Sequence, residues 1–130
     1  HDIRPVMSAD RVLELQRLVR KVPVAEHVFE YALELIRRSR PAESTAPDFV
    51  KEWLEIGAGP RAGQNLILGA KARALISGRF YTTTADVQAL ALPVLRHRLM
   101  TSFNAESEGV RVDALIERLL NETEPPHPEV

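Results

Sequence analysis

Apolar residues recur along this chain at spacings of three and four, the period of a helix buried on one face, and strict alternation is rare. Ser8, a favoured N-cap, precedes Val12, Leu15, Leu18, Val19 and Val22, which predict a first helix that Pro23 interrupts. A second helix from about Ala25 carries Val28, Ala32, Leu35 and Ile36 on one stripe, with Phe29 and Tyr31 flanking. It ends before Pro41, and Arg37, Arg38 and Arg40 suit the negative end of its dipole. The Pro41–Pro47 stretch reads as a loop, and Phe49–Ile56 as a strand or a helical turn. A third helix runs from Pro60 to about Ser77, with Leu66, Ile67, Ala70 and Ala74 on its apolar face and Gly78 as its stop signal. Thr83 and Asp86 form a capping box with Asp in place of Glu, opening a fourth helix with Val87, Leu90 and Ala91. Pro93 kinks or restarts it, and Leu99–Phe103 looks extended. Asp113 caps a last helix bearing Leu115, Ile116, Leu119 and Leu120. The expected fold is all-α: a small bundle of four to six helices with little or no sheet, over residues 1–122, followed by an unstructured tail over 123–130. No stripe is long enough to hold its helix alone, so all of them should converge on one core.

Composition narrows the function classes. At 130 residues the chain is one domain with room for a core. Its formal net charge of −1 gives no footprint for nucleic acid or an anionic membrane. It has no cysteine, which excludes disulfides and thiolate metal sites and fits a cytoplasmic location. No apolar run approaches the ~18 residues of a membrane span, and no signal-peptide pattern opens the chain. The sequence begins at His1, as though taken from a longer polypeptide. No Gly-x-x-x-x-Gly-Lys-Ser/Thr loop or Gly-x-Ser-x-Gly elbow is present. His1, His27, His97 and His127 lack metal-ligand spacing and read as surface or hydrogen-bonded side chains. Glu117, Glu122 and Glu124 read as a solvated face.

One stretch carries candidate chemistry. In Gly57-Ala58-Gly59-Pro60-Arg61-Ala62, Gly59 fits an N-cap and Pro60 the first helical position. Arg61 then stands in the first turn, where the dipole disfavours a cation unless an anion lies in front of it. Open N–H groups beside a guanidinium make a phosphate site. The same residues also fit a plain helix start with a solvated arginine, and spacing does not separate the two.

The ordered series of motifs does. Gly57-Ala58-Gly59-Pro60-Arg61-Ala62-Gly63, Gly78-Arg79-Phe80-Tyr81, Asp86-Val87 and Val94-Leu95-Arg96-His97-Arg98-Leu99 together resemble the C-terminal lid domain of the MoxR family of AAA+ ATPases. Pro5-Val6-Met7-Ser8 and Val22-Pro23-Val24 resemble the junction leading into that lid. The resemblance spans roughly residues 1–120. It implies that Arg61 is the sensor-2 arginine, which touches the γ-phosphate of ATP held mainly by a separate core. It implies that Gly57, Ala58, Gly59 and Pro60 present that arginine. Gly63 matches a position where a small residue serves approach to the nucleotide or helix packing. Tyr81, Asp86 and Val87 match a cap and core. Arg96, His97 and Arg98 match a family signature for which inter-subunit contact and interior hydrogen bonding both stay open. Many members carry Ser at Gly59 and Pro at Thr84; neither change disturbs a helix start. The implied cofactors are ATP and Mg²⁺ in the parent protein, with none held tightly by this chain. The implied partners are the protein's own AAA+ core, neighbouring subunits of a hexameric ring and client protein complexes that it remodels, with no nucleic acid and no membrane insertion. Without a P-loop or an acidic Walker B motif the chain should not hydrolyse ATP by itself. The competing class is a stand-alone helical adaptor.

Overall fold

The third predicted helix is the axis of the molecule. The computed structural model describes residues 2–127. In chain order these form α1 (Ala9–Arg20), α2 (Glu26–Arg38), α3 (Asp48–Trp53), β1 (Leu54–Ile56), α4 (Pro60–Ile76), α5 (Thr84–Leu95), β2 (Met100–Thr101), α6 (Phe103–Ser107) and α7 (Val112–Asn121). The all-α expectation holds, with seven helices among the described residues rather than four to six. The surplus is α3 and α6, of six and five residues, too short to show a helical period.

Helix α4 is central because its buried face is made of small residues. Ala62, Leu66, Ala70 and Ala74 recur every fourth position, and all four are fully buried. Three alanines in such a row let α2 and α5 pack closely against the same helix, and α1 meets it on a flank. At Gly69 an added Cβ would stand 2.9 Å from the Leu90 side chain of α5, so that crossing is closer still. Around α4 gather Val28, Leu35 and Ile36 of α2, Val87, Ala91 and Leu95 of α5, and Leu115, Ile116 and Leu119 of α7. Tyr31 is buried among them, and its hydroxyl accepts a hydrogen bond from Gln88 Nε2 at 3.2 Å. Burial pushes its pKa up, with the bond to Gln88 acting the other way.

The helix ends follow local chemistry. Ser8 Oγ accepts from Arg11 N at 3.2 Å, as the sequence predicts. Beyond α4, Gly78 takes φ +76°, Gly78 N donates to Leu75 O and Arg79 N to Ala74 O, both at 2.9 Å: a Schellman close. The same pattern at Gly109 (φ +71°) closes α6, which Ser102 Oγ opens by accepting from Ala105 N. Residues 49–56 divide between the two readings of that stretch, ending α3 and then forming β1. Strand β1 pairs antiparallel with β2, Leu54 facing Thr101, so the extended reading of Leu99–Phe103 holds at Met100 and Thr101, whereas Phe103 opens α6 behind its Ser102 cap.

Several details differ from the sequence reading. Helix α5 runs through Pro93; the carbonyl this frees belongs to exposed Ala89, which water can satisfy. Asp113 lies inside the first turn of α7 with Arg111 at the N-cap, and its carboxylate accepts instead from Arg96 Nε at 2.8 Å. Most consequentially, the α1 stripe does not reach the core. No residue of α1 is buried, and Val12, Leu13 and Leu18 are 42–49% exposed. The core-facing sides of α4 are taken by α2 and α5, which leaves α1 only a flank. There Leu15 and Val19 are half-buried, and Lys71 Nζ donates to Arg20 O at 2.9 Å. At the other terminus Thr123 is buried, its Oγ1 donating to Leu119 O at 2.7 Å. His1 and tail residues 128–130 lie outside the described residues.

These positions separate in stability. Leu66→Ala should cost about 2–5 kcal/mol, as expected for a leucine emptied from a closed core. Leu18→Ala on α1 should cost about 0.5 kcal/mol or less. Chemical denaturation of the two variants measures the contrast, and equal losses would place α1 in the core after all.

Candidate functional site

The Gly57–Arg61 turn is held from outside itself. Helix α2 ends at Arg38, and the two residues after it act as a clamp. Ser39 is fully buried; its Oγ donates to Ile36 O at 2.7 Å and accepts from Ala58 N at 3.1 Å. Arg40 Nε donates to Ala58 O at 2.7 Å. Both polar groups of the Ala58 backbone are thus bonded to the end of α2, and the Ala58 side chain is buried. Gly57 is needed for this approach: an added Cβ would lie 2.4 Å from Ser39 O and 2.5 Å from Arg40 Cα, both backbone atoms. Spacing along the chain could not have found this clamp, because its halves are 18 and 19 residues apart. The one local signal was a Ser-Arg pair directly after a helix, and many side chains can serve there.

The clamp fixes where α4 begins. Gly59 is the N-cap, Pro60 the first helical residue and Arg61 the second. No side chain caps this start. Pro60 has no N–H, and Ala62 N donates to Gly59 O at 3.0 Å, so Arg61 supplies the open N–H of the first three helical residues. Fewer donors are open than the sequence suggests. The Arg61 side chain is exposed, and none of the hydrogen bonds and ion pairs among the described residues involves it. A cation left unpaired at the positive end of a 17-residue helix is mildly unfavourable. The arrangement can receive an anion through the guanidinium and one backbone N–H. Gly59 has nothing within 4 Å of an added Cβ, so the turn needs no glycine there. At Gly63 a Cβ would touch only Ile36, at an ordinary 3.7 Å, so packing within this chain does not demand that glycine either.

At the opposite end of α4, about 26 Å away by helical rise, stands a charged cluster. Asp86 is fully buried and closes the capping box with Thr83: Thr83 N donates to Oδ2 at 2.8 Å and Asp86 N to Thr83 Oγ1 at 3.3 Å. Arg79 forks onto both carboxylate oxygens at 2.7 and 2.9 Å, and Arg73 of α4 donates to Oδ1. The Arg79 hydrogen bonds chiefly, then the Thr83 N–H and Arg73, hold the Asp86 carboxyl well below the usual carboxylate range against the opposing pull of burial. The structural role read for Asp86 and Val87 is what the geometry shows. Tyr81, read with them, is exposed, and the Arg79 guanidinium stands 5.8 Å from its ring centroid. The Arg96-His97-Arg98 run divides: Arg96 binds Asp113 within the chain, whereas His97 and Arg98 face a cleft between α1, α4 and α5.

Comparison with known proteins fits this frame. Residues 48–119 match the family model described as the AAA lid domain. The chain is 30% identical over 117 residues to chaperone MoxR1 of Mycobacterium tuberculosis, covering 90% of this chain and 31% of that protein. It is 28% identical over 124 residues to the uncharacterised protein YeaC of Bacillus subtilis, covering 95% and 36%. The crystal structure of a candidate ATPase from Cytophaga hutchinsonii superposes with a TM-score of 0.85 at 29% identity, covering 91% of this chain and 36% of that one. The chain therefore spans about a third of the length of the relatives it matches. The MoxR resemblance read from the motifs agrees with these matches.

Two tests follow from the geometry. Gly57→Ala should lose about 1–3 kcal/mol, because backbone atoms cannot retreat from the new methyl group, whereas Gly59→Ser should stay within about 0.5 kcal/mol of the parent; thermal unfolding of the pair checks this. Asp86 should tie stability to acid. Its folded pKa lies below the ordinary 3.8, so its contribution is complete above that value and drains away as pH falls further. Unfolding free energy measured down from pH 6 should drop below about pH 4, and Asp86→Asn should flatten that drop.

Proposed function

This chain belongs to the AAA lid domain family, and we propose that it serves as the helical lid of a MoxR-type AAA+ ATPase, supplying a sensor-2 arginine from Arg61. The observation that carries the reading is an exposed, unpaired guanidinium on a helix start that is clamped in place by Ser39 and Arg40. A solvated surface arginine needs no such clamp, and the clamp explains why Gly57 and Ala58 belong to the motif.

The residues present fit a nucleotide phosphate. Arg61 would hold it through the guanidinium and its open N–H, with Pro60 and Gly59 setting the start of the helix. ATP with Mg²⁺, bound mainly by a separate core, would supply the phosphoanhydride that is cleaved. A charge-assisted hydrogen bond from Arg61 is worth about 1.5–3 kcal/mol, enough to bias the angle of a lid and too little to hold a nucleotide alone. Loss of the γ-phosphate removes the acceptor, so the orientation of α4 can follow nucleotide state. Because α4 packs on α2, α5 and α1, a pull at Arg61 moves the bundle as one body. In this reading the lid works with its own core and with neighbouring subunits of a cytoplasmic, hexameric ring, and the motion remodels client protein complexes. No helix among the described residues is long and apolar enough to cross a membrane.

The test uses Arg61 in two settings. In the 130-residue chain Arg61→Ala should change stability by no more than about 0.5 kcal/mol. Calorimetric titration of that chain with ATP and Mg²⁺ should show at most millimolar-order affinity and no turnover. In the AAA+ chain that carries the lid, the same substitution should cut hydrolysis roughly tenfold or more through a lost transition-state contact. Unchanged hydrolysis there would remove Arg61 from the mechanism.

A further inference from the structure

The cleft between α1, α4 and α5 has a volume of about 560 Å³ and shares no residue with the 57–63 turn. Its polar lining joins two arginines to two amides and an imidazole: Gln16 and Arg20 of α1, Asn65 of α4 and the His97-Arg98 pair after α5, with no aspartate or glutamate. Within the Arg96-His97-Arg98 run, Arg96 is satisfied by Asp113. Arg98 is not: its Nε–H is shut away from solvent and has no acceptor among the described residues. A buried N–H without a partner is rare in folded proteins and costly to maintain. The rest of the lining is apolar and includes Leu68 of α4 and Val94 of α5.

We propose that this cleft docks an acidic, leucine-flanked segment of a partner protein, whose carboxylate is received by Arg98. Charge complementarity fixes the sign: a cleft with two arginines and no acid takes an anion. The two Nη groups of Arg98, which are not sealed as Nε is, suit a planar carboxylate that can occupy two donors at once. The apolar part of the lining matches short aliphatic side chains beside the carboxylate. The α4 wall runs from Asn65 to Ala72, about 11 Å, the reach of three or four residues of extended chain. The α1 wall contains no buried residue, so it can yield to a chain entering beneath it.

The test is nuclear magnetic resonance on the 130-residue chain with three probes: an acetylated, amidated peptide bearing one glutamate between leucines, its glutamine counterpart, and sodium acetate. The Arg98 Nε–H resonance is observed directly. The glutamate peptide should move it and the surrounding amides of α1, α4 and α5 saturably, and the glutamine peptide should bind at least tenfold more weakly. Arg98→Lys, which keeps the charge and loses the fork, should weaken the glutamate peptide at least tenfold. Equal binding of the two peptides, shifts scattered away from the cleft, or acetate saturating the site as well as the peptide does would each overturn the proposal. Arg61→Ala should leave these titrations unchanged, so the outcome is independent of the sensor reading.

Discussion

The close approach of three helices to α4 is the constraint on which the rest of the structure depends. A row of Ala62, Leu66, Ala70 and Ala74 presents a shallow surface in which only Leu66 projects. Two glycines of the same helix add to this, with Ile36 from α2 lying over Gly63 and Leu90 from α5 over Gly69. Larger residues in that row would push α2 and α5 outward and open the core between them. The longest helix thus becomes the least bulky, and its axis sets the geometry of everything attached to it.

Two polar assemblies then fix α4 at its ends, by different physics. At the start, a hydroxyl acceptor and a guanidinium donor just past the end of α2 bind the Ala58 backbone, and a glycine admits the contact. This clamp orients Arg61 without touching it, which leaves the guanidinium free for a partner outside the chain. At the far end a buried carboxylate is shared by two arginines and a capping box. There the buried carboxylate is answered internally, and its pKa held low reflects a structural tie. Both ends carry arginine, paired within the chain at one and unpaired at the other.

Helix α1 stands apart from this order. It has the apolar spacing of a core helix, yet its partner surface is one flank of α4, and much of Val12, Leu13 and Leu18 remains in water. A 12-residue helix is marginal on its own, so the flank contact and the Ser8 cap sustain it. The same shallow seating leaves the cleft in which Arg98 lacks an acceptor.

Local chemistry was legible in the sequence wherever it was self-contained. The Ser8 cap, the Pro60 start, the Gly78 stop and the Thr83–Asp86 box each depend on residues within a few positions, and each appears as read. The α6 helix also carried local signals, Ser102 before it and Gly109 after it, but five residues gave no period to draw attention to them. The ordered motifs identified a lid and singled out Arg61 at a helix start. Everything that depended on which surfaces were already taken was decided by the tertiary structure. Periodicity states that α1 has an apolar face, not that α2 and α5 occupy the core-facing sides of α4 first. Spacing offers Asp113 as a cap, and only the folded chain brings Arg96 against it. No linear pattern joins Ser39 to Ala58 or Arg79 to Asp86 in the geometry that sets their roles. Caps and turns are enthalpic contacts between near neighbours, written once in the chain; burial is a competition among all segments for a limited interior, and its outcome exists only when the chain has folded.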